Sequence, residues 1–378
     1  MKYRELGNTG LLVSEIGFGP EWMKGTPEET RAIAEACREG GVNLLDCWMS
    51  DPHIRDNLGY AMRGHIDEWI VQGHLGACWI DGQYERSRDL AYAVPAFEDE
   101  LRRLEVDHFD LGMLHYIDNL DELKRCLEGD FYDYLRRRKE SGTVGHIGLS
   151  THNPQVARYA VEAGAIEMLM FSINPAFDMM PASDDINTLF GDFHEAGEGI
   201  DPERDALYRL CEARGVGVTV MKPFAGGRLL NAAASPFGVA LTPAQCIHYC
   251  LTRPAVASVL GGYQSVGEVQ AALAYEDATP EERDYASALA DAPAHAYFGQ
   301  CIYCGHCQPC TVGIDIATVN KFADLARMHD AVPPSVKAHY EALEVNASDC
   351  TGCAACEPNC PFGVPIAERM AETVELFA

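Results

Sequence analysis

Short apolar runs alternate with longer segments in which apolar residues recur every three or four positions, and this alternation continues from residue 16 to residue 275. Runs of the first kind read as strands and segments of the second kind as amphipathic helices. Strands are predicted over 16–19, 42–46, 69–74, 109–115, 144–150, 167–173, 216–221 and 255–260. Helices are predicted over 27–39, 55–63, 86–104, 119–139, 154–163, 202–214, 243–251 and 266–275. Several open on a proline, which suits a first helical position. Ahead of the first βα unit, two short alternating runs flank Asn8-Thr9-Gly10 and predict a hairpin.

Eight βα units are the count of a closed (β/α)8 TIM barrel, with the N-terminal hairpin as a plug for its bottom. An open doubly wound sheet is the competing architecture. Against it, Ile16-Gly17-Phe18-Gly19-Pro20 lacks the third glycine and the helix start that a dinucleotide-binding turn needs. Residues 174–201, with Asp184-Asp185, are too long and polar for an ordinary connection and predict a lid over the mouth or a contact with the C-terminal segment. A short helix over 280–290 leads through Asp291-Ala292-Pro293 into that segment, where a helix over 316–328 precedes Val332-Pro333-Pro334 and a second helix. The division expected is 1–290 for the barrel and 291–378 for a small α-helical second domain.

The 378 residues are 47% hydrophobic, ample for a large core, and hold no apolar run of membrane-spanning length. Residue 1 leads directly into a polar hairpin, so a cytoplasmic protein is expected. With 29 Lys and Arg against 57 Asp and Glu, the formal charge of −28 excludes nucleic acid and anionic membranes as partners of the whole surface.

Eight of the 15 cysteines fall between residues 301 and 360. Cys350-x2-Cys353-x2-Cys356-x3-Cys360-Pro361 is the bacterial ferredoxin run, in which three thiolates hold one 4Fe–4S cube and the fourth reaches the neighbouring cluster. Cys301-x2-Cys304-x2-Cys307-x2-Cys310 is one residue shorter and is followed by Thr311. In the crossed arrangement one cluster takes Cys301, Cys304, Cys307 and Cys360, and the other takes Cys350, Cys353, Cys356 and Cys310. Zinc sites and disulfides are the alternatives; zinc favours two separated pairs of ligands, and disulfides suit a secreted chain. Two 4Fe–4S clusters, moving single electrons, are the reading preferred. The other seven cysteines sit singly among apolar or small residues and read as core.

Residues 1–275 resemble an aldo/keto reductase, and the whole chain resembles the bacterial branch in which that barrel is fused to a C-terminal two-cluster ferredoxin-like domain. The resemblance rests on Lys2-Tyr3-Arg4-x-Leu6-Gly7-x-Thr9-Gly10-x-x-Val13-Ser14-x-x-Gly17, on Gly41-Val42-Asn43-x-x-Asp46, on Asp110-Leu111-x-x-Leu114-His115, on Gly148-x-Ser150 and on the cysteine runs. It implies a catalytic tetrad of Asp, Tyr, Lys and His. Asp46 and His115 stand in the matching places, but Asp51 stands where the Tyr is expected and His74 where the Lys is.

With the usual phenol and ammonium gone from their places, a site of imidazole and carboxylate is expected. Asp46 would favour the imidazolium of His74, His115 would align a substrate oxygen, and Asp51 or His53 would be a second base. Arg55, Trp79, His152 and Asn174 are further substrate-binding candidates, and Trp48, Trp79 and Tyr84 are placed to wall an aromatic or flat substrate. His53, His74, His115 and His152 with Asp46 and Asp51 are also ligands enough for a divalent metal at the mouth.

The resemblance implies that a nicotinamide dinucleotide lies along Ser150, Lys222, Gly226, Gly227, Arg228, Gly261 and Gly262. Yet residues 254–282 carry no Lys or Arg for a 2′-phosphate, and Met221 replaces the usual aromatic, so NAD(P)H stays open. The function expected is an iron–sulfur oxidoreductase acting on a small carbonyl-like substrate, with ferredoxin or flavodoxin as candidate donors. A metal-dependent lyase or isomerase with structural clusters and a non-catalytic electron carrier or redox sensor are the rivals.

Overall fold

The structure is a computed structural model that describes residues 1–190, 199–290, 299–327 and 331–378. Its strands are β1 (Tyr3–Glu5), β2 (Leu12–Ser14), β3 (Ile16–Phe18), β4 (Leu44–Asp46), β5 (Ile70–Leu75), β6 (Ala77–Ile80), β7 (Gln83–Arg86), β8 (Phe109–Leu114), β9 (Val144–Thr151), β10 (Met168–Ser172), β11 (Gly217–Met221) and β12 (Val256–Gly261). Its helices are α1 (Pro27–Glu39), α2 (Pro52–Met62), α3 (Leu90–Leu104), α4 (Leu120–Glu128), α5 (Asp130–Glu140), α6 (Pro154–Glu162), α7 (Pro202–Arg214), α8 (Pro243–Leu251), α9 (Val266–Leu273), α10 (Tyr285–Ala290), α11 (Ile316–Arg327), α12 (Pro334–Glu341) and α13 (Ile366–Phe377).

β3, β4, β5, β8, β9, β10, β11 and β12 pair in parallel and close into a barrel, each of the eight expected strands appearing within a few residues of its expected span. Helix starts are fixed by side chains at the mouth: Asp51 caps α2, Asn153 caps α6 and Asp201 caps α7, each with proline following. Those caps hold the loops that carry the site at the strands' carboxyl ends.

The antiparallel hairpin β1–β2 lies across the barrel's bottom. Its Leu6 and Val13 are fully buried with Leu44, Leu111, Met113 and Met168 in the barrel's own core. Gly7 makes the close approach this requires, with φ of +53° and a position where a Cβ would lie 2.3 Å from the carbonyl oxygen of Gly215. Gly7→Ala is therefore expected to destabilise the fold by about 1–3 kcal/mol, from left-handed strain plus a backbone clash. Denaturant midpoints of the two proteins measure it; an unchanged midpoint would remove the plug from any role in stability.

Four elements differ from expectation, the first being the helix expected over 280–290, which begins only at Tyr285 after a turn. The helix expected over 86–104 begins at Leu90, and residues 77–86 form the hairpin β6–β7 instead. Asp81 and Gly82 supply positive φ at both turn positions, so the backbone twist matches the strands. The helix expected over 119–139 breaks at Gly129, which leaves α4 in extended conformation and opens α5. α13 was not expected, and it packs on α11.

The C-terminal segment is sewn to the barrel's outer helices. Arg253 donates to the carbonyl of Ile302 at 2.7 Å, Arg209 of α7 bonds the Tyr303 hydroxyl, and Tyr303 donates to Asp324 at 2.8 Å. The boundary expected at 290/291 and the link Asp291-Ala292-Pro293 abut or fall within residues outside those described. All seven scattered cysteines are buried, as expected.

Candidate active site

The carboxyl ends of the barrel strands open into a cavity of about 690 Å³. Asp46, His74, His115, Ser150 and His152 line it from one half of the barrel, and Met221, Lys222, Gly226, Gly227 and Gly262 from the other. Ile186 and Phe190 wall one side, and Arg228 donates to the Phe190 carbonyl at 2.8 Å, so this part of the segment expected as a lid does close on the mouth. Residues 191–198 of that segment lie outside the described residues. Its other end reaches the C-terminal segment, where the Ile200 amide donates to Gln300.

At the cavity's floor four side chains form an unbroken chain. His74 Nε2 lies 2.8 Å from Asp46 Oδ1, His74 Nδ1 lies 2.9 Å from His115 Nδ1, and His115 Nε2 lies 2.7 Å from the Tyr84 hydroxyl. Gln72 donates to the same Asp46 oxygen at 2.6 Å. Trp48 stacks on the His115 ring at 5.8 Å and meets the Tyr84 ring edge-on at 5.3 Å, fixing both orientations. Tyr84 was expected, with Trp48 and Trp79, as a wall for a flat substrate and not as a member of the proton chain. It arrives on the hairpin β6–β7, far in sequence from the position where the family carries its tyrosine.

The proton positions follow from what each atom can do. An ionised Asp46 only accepts, so His74 Nε2 bears a hydrogen. With His74 neutral, its Nδ1 accepts from His115, and His115 Nε2 accepts from the phenol. One further proton on His74 reverses both bonds: His115 then donates to the Tyr84 oxygen, and the phenol's own hydrogen turns to the cavity. Burial first, then His74, holds His115 well below the usual imidazole range, so it relays as a neutral ring. Burial also pushes the Tyr84 phenol up, against the pull of Arg86 and Arg88.

Other expected residues stand elsewhere. Asp51 turns its carboxylate to the His53 amide as a helix cap, and His53 is exposed with its ring at the Lys24 carbonyl. Arg55 is buried against Glu100 at 3.1 Å and the Ala96 carbonyl at 2.7 Å, where it joins α2 to α3. Trp79, the cross-strand partner of Tyr84 on β6, is exposed and does not line the cavity. Asn174 binds backbone, donating to the Lys222 carbonyl and accepting from Ala176 and Phe177. Arg228 and Gly261 lie beside the cavity and do not line it; the Gly261 carbonyl accepts from Gly19.

The divalent-metal site does not assemble at the mouth. Among the described residues no three His, Cys, Asp or Glu side chains are disposed to hold a single ion. His74 spends both ring nitrogens on Asp46 and His115, and His152 turns Nδ1 to Asp118 at 2.9 Å. A carboxylate missed in the sequence, Glu21, does line the cavity beside Trp22, with its pKa raised by burial although Lys222 pulls it down.

Three histidines, His115 and His152 buried and His248 half-buried, set an acid limit. Burial lowers His115 and His152 below 6.5 and His248 to about 4. In each the unfolded state binds the proton more readily, so stability is complete above pH 6.5 and is lost as pH falls toward the folded values. The melting temperature is expected to drop steadily from pH 7 to pH 5; a flat profile would show that these rings are charged in the folded protein.

The eight C-terminal cysteines form no disulfide and gather around two hollows. One is lined by Cys301, Cys304, Cys307 and Cys360, with Ile302, Tyr303 and Phe362. The other is lined by Cys310, Cys350, Cys353 and Cys356, with Val312 and Met370. Ile316 and Ile366 line both, as a shared apolar wall. The first set faces the barrel through Ile302 and Tyr303; the second carries the exposed Cys353.

Comparison with known proteins places the barrel. An uncharacterized oxidoreductase of Bacillus subtilis (strain 168), YqkF, is 28% identical over 192 residues, 48% of this chain and 58% of that protein. The aldo-keto reductase YhdN of the same organism is 26% identical over 160 residues, 40% of this chain and 47% of its own length. The chain thus spans only about half the length of these curated relatives. The solved holo form of an aldo-keto reductase from Bacillus halodurans superposes with a TM-score of 0.59 at 24% identity, covering 79% of this chain and 99% of that one, a likeness of fold. The pattern of the aldo/keto reductase family matches residues 17–240, which take in the first seven barrel strands and their mouth residues, and the chain belongs to that family.

Proposed function

We propose that the chain is an iron–sulfur oxidoreductase that reduces or oxidises a small carbonyl-like substrate at the barrel mouth, with a rebuilt proton-delivery chain in place of the usual tetrad. The observation that carries the reading is the pairing of the cysteines: each hollow takes three thiols from one run and one from the other, the sharing that two-cluster ferredoxins use. A mononuclear zinc needs its thiolates about 2.3 Å from one point, whereas a cube interposes its own atoms between four thiolates around a hollow.

The residues that would hold the clusters are Cys301, Cys304, Cys307 and Cys360 on the barrel side, and Cys310, Cys350, Cys353 and Cys356 on the exposed side. When bound, the clusters supply electrons one at a time. The exposed set would meet a donor such as ferredoxin or flavodoxin, and the barrel-side set is tied to α7 and to Arg253 just after α8.

In the barrel, the chain's own residues manage the proton. His74, hydrogen-bonded to Asp46, takes over the task of the family's Lys and Asp pair. Neutral His115 passes the polarity on, and Tyr84 gives its hydrogen to the substrate oxygen. The phenolate left behind accepts from His115 Nε2, which replaces the desolvated charge with a short hydrogen bond. The apolar walls of Trp48, Phe190 and Met170 exclude water and suit an apolar substrate body.

The cavity continues along Gly226, Gly227 and Gly262 to Glu268, a trough that fits a nicotinamide dinucleotide only in part. When bound, such a nucleotide would supply a hydride. Among the described residues Lys222 is the single Lys or Arg lining it, and Glu268 would accept from ribose hydroxyls and repel a 2′-phosphate.

The test is anaerobic. Iron and sulfide are assayed first, then the dithionite-reduced protein is mixed with candidate ketones, aldehydes and enones while the cluster absorption is followed. Reoxidation by one acceptor, with formation of its reduced product, supports the reading. Protein containing no iron, or reduced clusters inert to every acceptor, would sink it.

A further inference from the structure

A second histidine–carboxylate pair faces the cavity across from the relay. His152 Nδ1 lies 2.9 Å from Asp118 Oδ2, while Asp118 Oδ1 accepts from the His152 amide at 2.7 Å and from the Thr151 hydroxyl at 2.8 Å. Asn153 clamps the same turn by donating to the Asp118 carbonyl at 2.9 Å. Asp118 is 3% exposed and His152 5%. The carboxylate is held below its usual range by these contacts although burial opposes them, so Nδ1 bears the hydrogen and Nε2 keeps its lone pair. That Nε2 is buried, has no hydrogen-bond partner among the described residues, and belongs to a ring that lines the cavity. Burial lowers the pKa of the ring, which therefore stands neutral at pH 7. Tyr116 lies between the two histidines, 4.9 Å from the His152 ring and 6.1 Å from the His115 ring, so base and relay face one space.

A reductase that only protonates a carbonyl oxygen has no use for a second, oriented base with a bare nitrogen. We propose that His152, held by Asp118, takes a proton from the carbon next to the carbonyl of a bound apolar ketone while Tyr84 protonates its oxygen, so that the mouth enolises its substrate without net redox change. The C–H electron pair becomes the carbon–carbon double bond of the enol, the carbonyl π pair moves to oxygen, and oxygen takes the Tyr84 hydrogen. Reversal restores the ketone, and no electrons enter or leave. The inference rests on Tyr84 as proton donor, as argued above, but not on the clusters turning over.

The experiment uses full-length protein with its clusters oxidised and no nucleotide present, in D2O at pD 7.4. Cyclohexanone and 1-indanone are the probes. Saturation-transfer NMR establishes binding, and loss of the proton signal next to the carbonyl reports exchange. The expected result is binding of at least one ketone with exchange about 100-fold or more above buffer. His152→Gln and Tyr84→Phe should each return exchange to the buffer rate at unchanged iron content. Should His152→Gln not fold, Tyr84→Phe, which loses one hydroxyl, carries the comparison. The inference is overturned if neither ketone binds, if a bound ketone keeps its hydrogens, or if a folded variant exchanges at the native rate. Because the readout is redox-neutral, exchange can persist where cluster reoxidation fails, and the reverse, which separates failure of this inference from failure of the oxidoreductase reading.

Discussion

Tyr84→Phe is expected to lower turnover of the redox reaction by about 10²–10⁴-fold while leaving iron content, cluster absorption and melting temperature close to those of the native protein. The hydroxyl makes one hydrogen bond, to His115, and the ring's packing against Trp48 survives the change. Loss of the phenol removes the last link of the chain that begins at Asp46. The substrate oxygen then has no proton source in the cavity floor except His115, whose ring is kept neutral by burial. The effect should fall on kcat, since a hydrogen bond that strengthens as charge develops on oxygen acts in the transition state. Phenylalanine at 84 with full kcat would move the proton donor elsewhere, to Glu21 or His152. His74→Gln provides the companion result: with no imidazole between Asp46 and His115, turnover should fall comparably.

Much of this arrangement was legible in the sequence, and the parts that were not have identifiable causes. The barrel was readable because eight apolar runs at βα spacing leave few other closed solutions, and Asp46, His74 and His115 could be placed because strand ends face the mouth. The place of Tyr84 in the proton chain escaped because the Trp79 and Tyr84 runs read as the lead-in to a helix. The signal was present in Asp81-Gly82, a pair suited to a tight hairpin turn, flanked by two four-residue runs. Asp51 and Arg55 misled for one reason: on the opening turn of a helix at the mouth, a polar residue is as apt to cap the helix or brace the next one as to meet a ligand, and spacing does not distinguish these. Asp118 and Glu21 gave no pattern at all, because their roles depend on burial against residues 34 positions away, in the case of His152, or 201 away, in the case of Lys222.

The crossed sharing of cysteines yields the second large effect. Cys360 lies in the second run but lines the hollow of the first, and Cys310 lies in the first run but lines the hollow of the second. Cys360→Ala should therefore remove the barrel-side cluster and leave the exposed one, with about half the iron retained, since each cube holds four irons. Single variants do not distinguish crossing from its absence, but pairs do. Cys301→Ala with Cys360→Ala strips two ligands from one cluster and should still retain half the iron, whereas Cys350→Ala with Cys360→Ala strips one ligand from each and should lose nearly all of it. Clusters held each within its own run would give the opposite ranking, and that ranking in iron assays and in the electron paramagnetic resonance of the reduced protein would refute the assignment. Function follows the same division. Loss of the barrel-side cluster should abolish electron delivery to the cavity while the exposed set would still accept electrons from a donor, because the two hollows share the wall of Ile316 and Ile366 and the first is the one whose Ile302 and Tyr303 are bonded to Arg253 and to Arg209 of α7.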